Sequence, residues 1–167
     1  MVNPMDTQTR HGHAALRRCR HGAPQRLYHV TVDTAGRRPL FADFGTACAA
    51  ARTTQHPALW RSSRLLCWVL MPDRLHLLLE LGEGDALGPV MTRIKSAIAR
   101  HANRAAGRKG ACWQRAYHER ALRRQDDVLA VARYIVGHPL RAGLVERVGD
   151  YPFWDAAWLR PGDPSAA

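Results

Sequence analysis

Residues 65–81 read LLCWVLMPDRLHLLLEL, two apolar segments on either side of Pro72 and Asp73. Proline fixes φ at the first central position of a tight turn, and aspartate is favoured at the second, so this pattern predicts a β-hairpin. Because side chains alternate between faces along a strand, the second strand carries Arg74 and His76 on one face and a row of leucines on the other. The leucine face requires a hydrophobic partner, which leaves the face with arginine and histidine as a candidate for function.

The 167 residues carry a formal net charge of +11, and arginine supplies almost all of the positive charge because only two residues are lysine. A chain of this length is expected to form one compact domain. Guanidinium groups pair with phosphate oxygens and stack on bases, so an arginine-rich basic domain favours a nucleic acid partner. A codon preference for arginine in a GC-rich genome is the alternative explanation.

The cysteines are widely spaced and form no CxxC pair, which argues against a zinc finger and against a disulfide framework. The longest apolar run is too short to cross a membrane, and the N-terminus lacks the apolar segment of a signal peptide. We therefore expect a cytoplasmic protein with no membrane partner. Its predicted parts are a basic arm over residues 1–24, one domain over 25–159 and a flexible tail over 160–167.

Hydrophobic periodicity predicts the element order β-α-β-β-α-β-α. A strand is expected over residues 26–33, Asp43 is placed to cap the first helix, and apolar residues at helical spacing predict helices over 87–105 and 125–137. A short edge strand is expected within 111–123. This order indicates an α+β, ferredoxin-like antiparallel sheet with helices on one face and the third strand at its centre. The other face, expected to lie open to solvent or ligand, carries His29, Thr31, Asp33, Arg74, His76 and Glu80.

Arginines recur in two segments where a polyanion is expected to bind. One segment is the loop at 36–39, and the other is the solvent side of the 87–105 helix and its extension. The candidate DNA-binding residues are Arg37, Arg38, Arg93, Arg100, Arg104 and Arg108. An ordinary solvated helix face has the same composition, so the pattern alone leaves both interpretations open.

Tyr134 lies next to the buried stripe of the 125–137 helix, and His138 follows four residues later on the same side. A tyrosine hydroxyl with a histidine one turn away suits phosphoryl chemistry, provided that a cation polarises the phosphate. Packing is the alternative, because an aromatic residue beside an apolar stripe and a histidine before proline are both common in structural roles.

Several segments together resemble the REP-associated tyrosine transposases, which belong to the HUH single-tyrosine transposases of small insertion sequences. The resemblance spans residues 26–158 with order and spacing preserved. It rests on the segments YHVTV, RRPLF, LLCWVLMPDRLHLLLELGEG, WQRAYHERALR, ARYIVGHPLRAGLV and DYPFWDAAW. The resemblance implies the HUH-transposase fold and a metal-dependent nuclease and strand transferase that acts on single-stranded, hairpin-bearing DNA. In that family a tyrosine attacks the scissile phosphate, which gives a 5′-phosphotyrosine link and a free 3′-hydroxyl.

Carried over to this chain, the resemblance places Tyr134 at the nucleophile and His76 at the second histidine of the metal-binding pair. His138 falls where the family commonly has asparagine or glutamine, and it is the second expected ligand for Mg²⁺ or Mn²⁺. Arg74 falls on the first histidine of the pair. A guanidinium has no lone pair to give a metal and puts a positive charge where the cation belongs, so we expect a weak metal site. Imidazole at His138 is expected to compensate in part, because it is a better transition-metal ligand than an amide.

Three functional classes stay open at the level of sequence. The first is a transposase, active or weakened by Arg74, and the second is a degenerate relative that binds hairpin DNA without cutting it. The third is a basic RNA-binding domain, which is disfavoured because the polar face of the sheet shows no exposed aromatic pair for base stacking. The expected partner is single-stranded or hairpin DNA, bound by a monomer or a homodimer.

Overall fold

The computed structural model describes residues 26–123 and 126–158. The strands β1 to β5 span Leu27–Asp33, Arg64–Met71, Arg74–Glu80, His118–Ala121 and Trp154–Ala156. The helices α1 to α5 span Phe44–Thr54, Pro57–Trp60, Leu87–Ala105, Val128–Val136 and His138–Arg141. Short 3₁₀ turns cover Ala35–Arg37, Leu40–Ala42 and Val148–Asp150.

The strands pair throughout as one antiparallel sheet in the order β4-β1-β3-β2-β5. β3 lies at the centre, between β1 and β2, as predicted. β2 ends at Met71 and β3 begins at Arg74, so Pro72 and Asp73 form the predicted two-residue turn. The α+β class and the ferredoxin-like order of the first four strands are confirmed.

Each face of the sheet is covered by its own apolar cluster. On one face, fully buried side chains such as Val30 and Leu77 pack with α1 and α3. On the other face, Leu78 packs with Ala132 and Ile135 of α4. The predicted placement of helices on one face therefore holds for α1 and α3, while α4 occupies the opposite side.

The expectation that the polar face lies open to solvent was wrong. His76 is only 5% exposed and Asp33 only 4%. The face also carries Leu78 and, from β2, Val69, and both belong to the apolar cluster that α4 covers. Burying this apolar area brings α4 down onto the sheet, and His76 is buried with it, while Arg74 and Glu80 at the two ends of β3 stay partly exposed.

Capping residues set the helix boundaries. The carboxylate of Asp43 accepts from the backbone N–H of Thr46 at 2.8 Å, which starts α1 as predicted. Asp127 caps α4 in the same way, so that helix begins at Val128 and not at 125. The edge strand β5 was not predicted, because three residues are too few to show an alternating pattern.

The predicted basic arm over residues 1–24 and the tail over 160–167 lie outside the described residues. Between 26 and 123 and between 126 and 158, no helix has the length and apolarity needed to cross a membrane.

Candidate active site between the β2–β3 turn and α4

The turn between β2 and β3 is fixed by the segment that follows β1. The backbone N–H of Thr34 donates to the carbonyl of Asp73 at 2.9 Å, and the N–H of Phe41 donates to the carbonyl of Pro72 at 3.0 Å. The side chain of Asp73 in turn accepts two hydrogen bonds from Arg74, at 3.1 and 3.0 Å. This arrangement fixes the Arg74 guanidinium at the beginning of the central strand.

A second arginine is held next to this turn. Nη2 of Arg37 lies 3.1 Å from a carboxylate oxygen of Asp33, whose other oxygen is buried without a hydrogen-bond partner. Arg38, the next residue in the loop, instead points its guanidinium at the backbone carbonyls of Ala35 and Ala111. Of the two predicted loop arginines, only Arg37 lines the cleft described below.

His76 is buried at the centre of the sheet. Its Nδ1 lies 3.0 Å from Oγ1 of Thr31 and 3.4 Å from Nε2 of His29, while its Nε2 has no hydrogen-bond partner. Burial lowers the pKa of His76 to about 3, and the neighbouring His138, His29 and Arg74 add to that shift. His76 is therefore neutral near pH 7, with a buried nitrogen that nothing in the described protein satisfies.

Tyr134 sits in the last turn of α4 and is 51% exposed. The His138 ring meets it edge-on at a centroid distance of 5.5 Å and lies 4.2 Å from the His76 ring. Arg141 covers the Tyr134 ring, with Cζ 4.2 Å from the centroid, and donates to the Tyr134 backbone carbonyl. The structure thus brings together the predicted residues Tyr134, His138 and His76 and adds Arg141 to them.

His138 and Arg141 border a cleft of about 570 Å³ between the β2–β3 turn and α5. Three arginines line it: Arg37, Arg74 and Arg141. His138 and Asp73 complete its polar wall. A groove with several guanidinium groups can bind a phosphodiester, and Tyr134 lies next to it through its contacts with His138 and Arg141.

The donor set at this cleft does not fit the divalent metal that the resemblance implied. Nη2 of Arg141 lies 2.7 Å from Nδ1 of His138, so a guanidinium stands directly beside one of the two histidines expected to bind the ion. A guanidinium carries a positive charge and offers no lone pair, so it disfavours a divalent ion at this position. Among the described residues, no three histidine, cysteine or carboxylate side chains are placed to hold an ion. Nε2 of His76 and Oδ1 of Asp33 are buried atoms of the described residues that have no hydrogen-bond partner, and they are too few to hold the ion.

The histidines near the cleft are held toward their neutral form. Burial lowers the pKa of His138, with the Arg141 guanidinium as the next cause, while a hydrogen bond with the backbone of Tyr134 acts in the opposite direction. Burial also lowers the pKa of His29, helped by Arg120 and His138. A neutral imidazole is the form that burial and the neighbouring guanidinium favour.

The helical arginines predicted to bind DNA lie elsewhere. α3 packs against the opposite face of the sheet from α4, so its outer surface points away from the cleft. Arg100 and Arg104 are exposed, but Arg93 is half-buried and donates through Nε to the carbonyl of Leu59 at 2.7 Å. Arg108 is also half-buried. The predicted stripe of four therefore contains two freely exposed arginines.

Arg141 is the site residue that sequence reasoning missed. It lies three residues after His138 and seven after Tyr134, a helical spacing that puts all three on one side. This spacing is visible in the sequence, but Pro139 predicts the end of the helix, which leaves Arg141 outside it. In the structure Pro139 occupies the first turn of α5, so helical backbone resumes after Gly137 and carries Arg141.

Comparison with known proteins identifies the family of this chain. A family profile described as "Transposase IS200 like" matches residues 24–138, more than half of the chain. The chain belongs to the IS200-like transposase family. A REP-associated tyrosine transposase of Escherichia coli K12 is 31% identical over 93 residues, which cover 56% of this chain and 54% of that protein. A candidate REP-associated tyrosine transposase of Haemophilus influenzae is 30% identical over 94 residues, 50% of this chain and 53% of its own length. This IS200-like chain thus spans about half the length of the curated relatives it matches.

Solved structures extend the likeness of this IS200-like chain to three dimensions. A REP-associated tyrosine transposase bound to a REP hairpin superposes with a TM-score of 0.59 at 25% identity, covering 79% of this chain and 77% of that one. A Deinococcus radiodurans structure described as a transposase candidate shares the fold, with a TM-score of 0.52 at 19% identity over 74% of this chain and 88% of that one. The resemblance to REP-associated tyrosine transposases that the sequence motifs indicated is confirmed.

Proposed function

We propose that this chain binds single-stranded, hairpin-bearing DNA and cleaves it with Tyr134 as the nucleophile. The observation that carries the proposal is the position of Tyr134, which is half exposed and contacts both His138 and Arg141. His138 and Arg141 line a cleft that contains two further arginines. Family membership and the likeness to a transposase bound to a REP hairpin support the same substrate class. The surplus of +11 charges favours a polyanion over a neutral or acidic partner.

The chemistry is a transesterification that needs no oxidant or reductant. The Tyr134 hydroxyl oxygen attacks a backbone phosphorus, the bond from phosphorus to the 3′-oxygen breaks, and a 5′-phosphotyrosine and a free 3′-hydroxyl result. The phenolic proton leaves to solvent, and the departing 3′-oxygen takes a proton from solvent. The guanidinium groups of Arg74 and Arg141 bind the non-bridging phosphate oxygens and stabilise the charge of the transition state. Attack by a strand 3′-hydroxyl on the phosphotyrosine reverses these steps and rejoins DNA.

We propose a secondary role for the exposed arginines of α3. A DNA hairpin held at the cleft extends beyond it, and Arg100 and Arg104 attract its outer phosphates through long-range electrostatics. Such contacts between exposed charges are screened by salt and add little specificity.

A DNA-binding protein that has lost cleavage is the second candidate. It is favoured by one observation, the bidentate Arg74–Asp73 pair at the position where the family has a metal-binding histidine. In that case the cleft binds a DNA phosphate, but Tyr134 does not attack it. The two candidates predict the same DNA affinity and differ in whether a covalent complex forms.

Incubation with a pool of hairpin-bearing single-stranded oligonucleotides with randomised flanks separates the candidates. The cleaving enzyme yields a protein–DNA species that survives denaturing electrophoresis and is absent with Tyr134→Phe. Affinity without any such species, with or without Mn²⁺, assigns the chain to the binding-only class. Equal affinity for matched RNA hairpins would instead support the RNA-binding class.

A further inference from the structure

We propose that Arg37, Arg74 and Arg141 form a guanidinium clamp that replaces the divalent ion implied by the family, so that this chain engages the DNA phosphate without a metal. The inference rests on the proposed function, because the clamp is assigned to the phosphate that Tyr134 attacks. It predicts a property that family membership does not, namely independence from divalent cations.

Arg141 has the position that such a role requires. Its guanidinium lies over one face of the Tyr134 ring, with Cζ 4.2 Å from the centroid. Gly137 leaves the space for it, since a Cβ at that residue would come within 2.9 Å of Nη1 of Arg141. Within residues 26–123 and 126–158, no carboxylate forms an ion pair with Arg141, so its charge is uncompensated.

Arg74 and Arg37 approach the same cleft from its other wall, each oriented by a carboxylate. Arg74 is 27% exposed and forms two bonds to Asp73, while Arg37 is 54% exposed and forms one to Asp33. The cleft thus has three guanidinium groups and two paired carboxylates, so its net charge is positive by one in the absence of bound phosphate. Oriented guanidinium groups lose little side-chain entropy on binding a phosphate, and their planar shape matches two of its oxygens.

The same arrangement repels a divalent ion. A cation at the unpartnered Nε2 of His76 would lie beside the His138 ring, whose centroid is 4.2 Å from that of His76. Nη2 of Arg141 lies 2.7 Å from Nδ1 of the same His138, so a guanidinium charge already stands at this position. The nearby positive charge and the shortage of metal-binding atoms therefore both disfavour a divalent ion in the cleft. The guanidinium groups then stabilise the negative charge of the phosphate in place of the ion.

A purely structural role for Arg141 is the competing explanation. Its guanidinium donates to the Tyr134 backbone carbonyl, and arginines often stabilise the exposed carbonyls at a helix C-terminus in this way. A capping arginine contributes to stability but makes no phosphate contact. The test therefore includes a measurement that capping alone would not change.

The experiment uses the full chain and the randomised-flank hairpin pool, in EDTA and separately in Mn²⁺. DNA affinity is measured across a salt series, and the covalent species is quantified, for the wild type and for Arg74→Gln, Arg141→Gln and Arg141→Lys. Arg52→Gln is the matched control, because Arg52 is an exposed arginine of α1 on the far side of the sheet. Thermal melting of each variant separates loss of fold from loss of contact.

We expect EDTA to leave wild-type affinity and covalent yield unchanged. Each cleft Gln variant should lose on the order of tenfold in affinity, and its slope of log affinity against log salt should shrink by about 0.7, the value for one contact to single-stranded DNA. Arg141→Lys should recover part of the affinity because it keeps the charge, and Arg52→Gln should match the wild type.

Two results would overturn the clamp: wild-type binding or cleavage that EDTA abolishes and Mn²⁺ restores, or Gln variants with unchanged affinity and salt slope. A lower melting temperature for Arg141→Gln with an unchanged salt slope would also overturn it in favour of capping. If no covalent species forms under any condition while the cleft variants still lose salt-sensitive affinity in EDTA, the cleavage proposal fails and the clamp stands.

Discussion

Two groups of arginines on opposite faces of the sheet carry the same charge in different settings. In the cleft, Arg74 is fixed by two hydrogen bonds to Asp73, and Arg141 is fixed against Tyr134 and His138. On α3, Arg100 is exposed, with no ion pair to any described residue. The two groups differ in orientation, not in the number of basic residues. We therefore base the proposed binding site on oriented guanidinium groups that converge beside Tyr134, the proposed nucleophile.

The largest expected effect comes from comparing two tyrosines, Tyr134 on the cleft face of the sheet and Tyr117 on the α3 face. Tyr134→Phe should abolish the covalent protein–DNA species while DNA affinity and melting temperature stay close to wild type, because only one hydroxyl is removed. Tyr117→Phe is the control, since Tyr117 packs with the α1–α3 cluster and has Lys95 over its ring. A covalent species that persists in Tyr134→Phe and disappears in Tyr117→Phe would reverse the assignment of the two faces.

The arginines themselves provide the second comparison. Replacing Arg74 and Arg141 together with glutamine should reduce DNA affinity on the order of a hundredfold, because two oriented contacts to phosphate are lost. Replacing Arg100 and Arg104 together should cost much less, and that cost should vanish at high salt because exposed charges are screened. Filter-binding or fluorescence titrations across a salt series measure both. A larger loss for the α3 pair would place the DNA on the other face.

Replacing Arg74 with histidine, the residue that the family has at this position, tests whether Arg74 is what weakens metal binding at the cleft. Arg74→His removes a positive charge and supplies an imidazole two residues from His76 on the same strand face. We expect Mn²⁺ affinity, measured by calorimetry, to rise on the order of tenfold or more. Arg100→His, which adds a histidine on the far face, should bind no more Mn²⁺ than the wild type. An unchanged affinity in Arg74→His would show that Arg141 or burial, and not Arg74, excludes the ion.

The smallest expected effect concerns pH. The pKa of His76 in the folded chain is about 3, below its ordinary value near 6.5, so the unfolded chain binds a proton that the folded chain does not. Stability is then fully present above pH 6.5 and is lost as pH falls toward 3. Between pH 6.5 and pH 5 the loss from this one group is at most about 2 kcal/mol.

Denaturant unfolding at several pH values measures that slope. His76→Gln should flatten it, because that variant removes the buried imidazole. His29 and His138 contribute in the same direction, since burial lowers the pKa of each. An equal slope in wild type and His76→Gln would mean that His76 is not the neutral, buried group described above.

Much of the fold followed from local pattern. The apolar segments around Pro72 and Asp73 fixed the hairpin and the central strand, and Asp43 fixed the beginning of α1. The position of α4 depends on a tertiary effect, the burial of Leu78 and the side chains around it, which no local pattern contains. That burial is also why the polar face proved to be covered.

The candidate site, like the fold, was predictable only where local sequence pattern determines it. Helical spacing joined Tyr134 to His138, and the motif resemblance added His76, but neither method showed how the side chains pair. The contact between Arg141 and His138 arises where α4 and α5 meet, and the Asp73–Arg74 pair depends on the geometry of the turn. These two contacts bear on whether a metal can bind, and neither is contained in the local sequence pattern.

The most direct test of the account is the identity of the residue that becomes linked to DNA. The covalent species formed on the hairpin pool in EDTA should be digested with protease, and the peptide that carries nucleotide should be sequenced by mass spectrometry. The account predicts a single modified peptide containing Tyr134, with the nucleotide attached through its 5′-phosphate. Attachment at any other residue, or formation of the species only when Mn²⁺ is supplied, would contradict it.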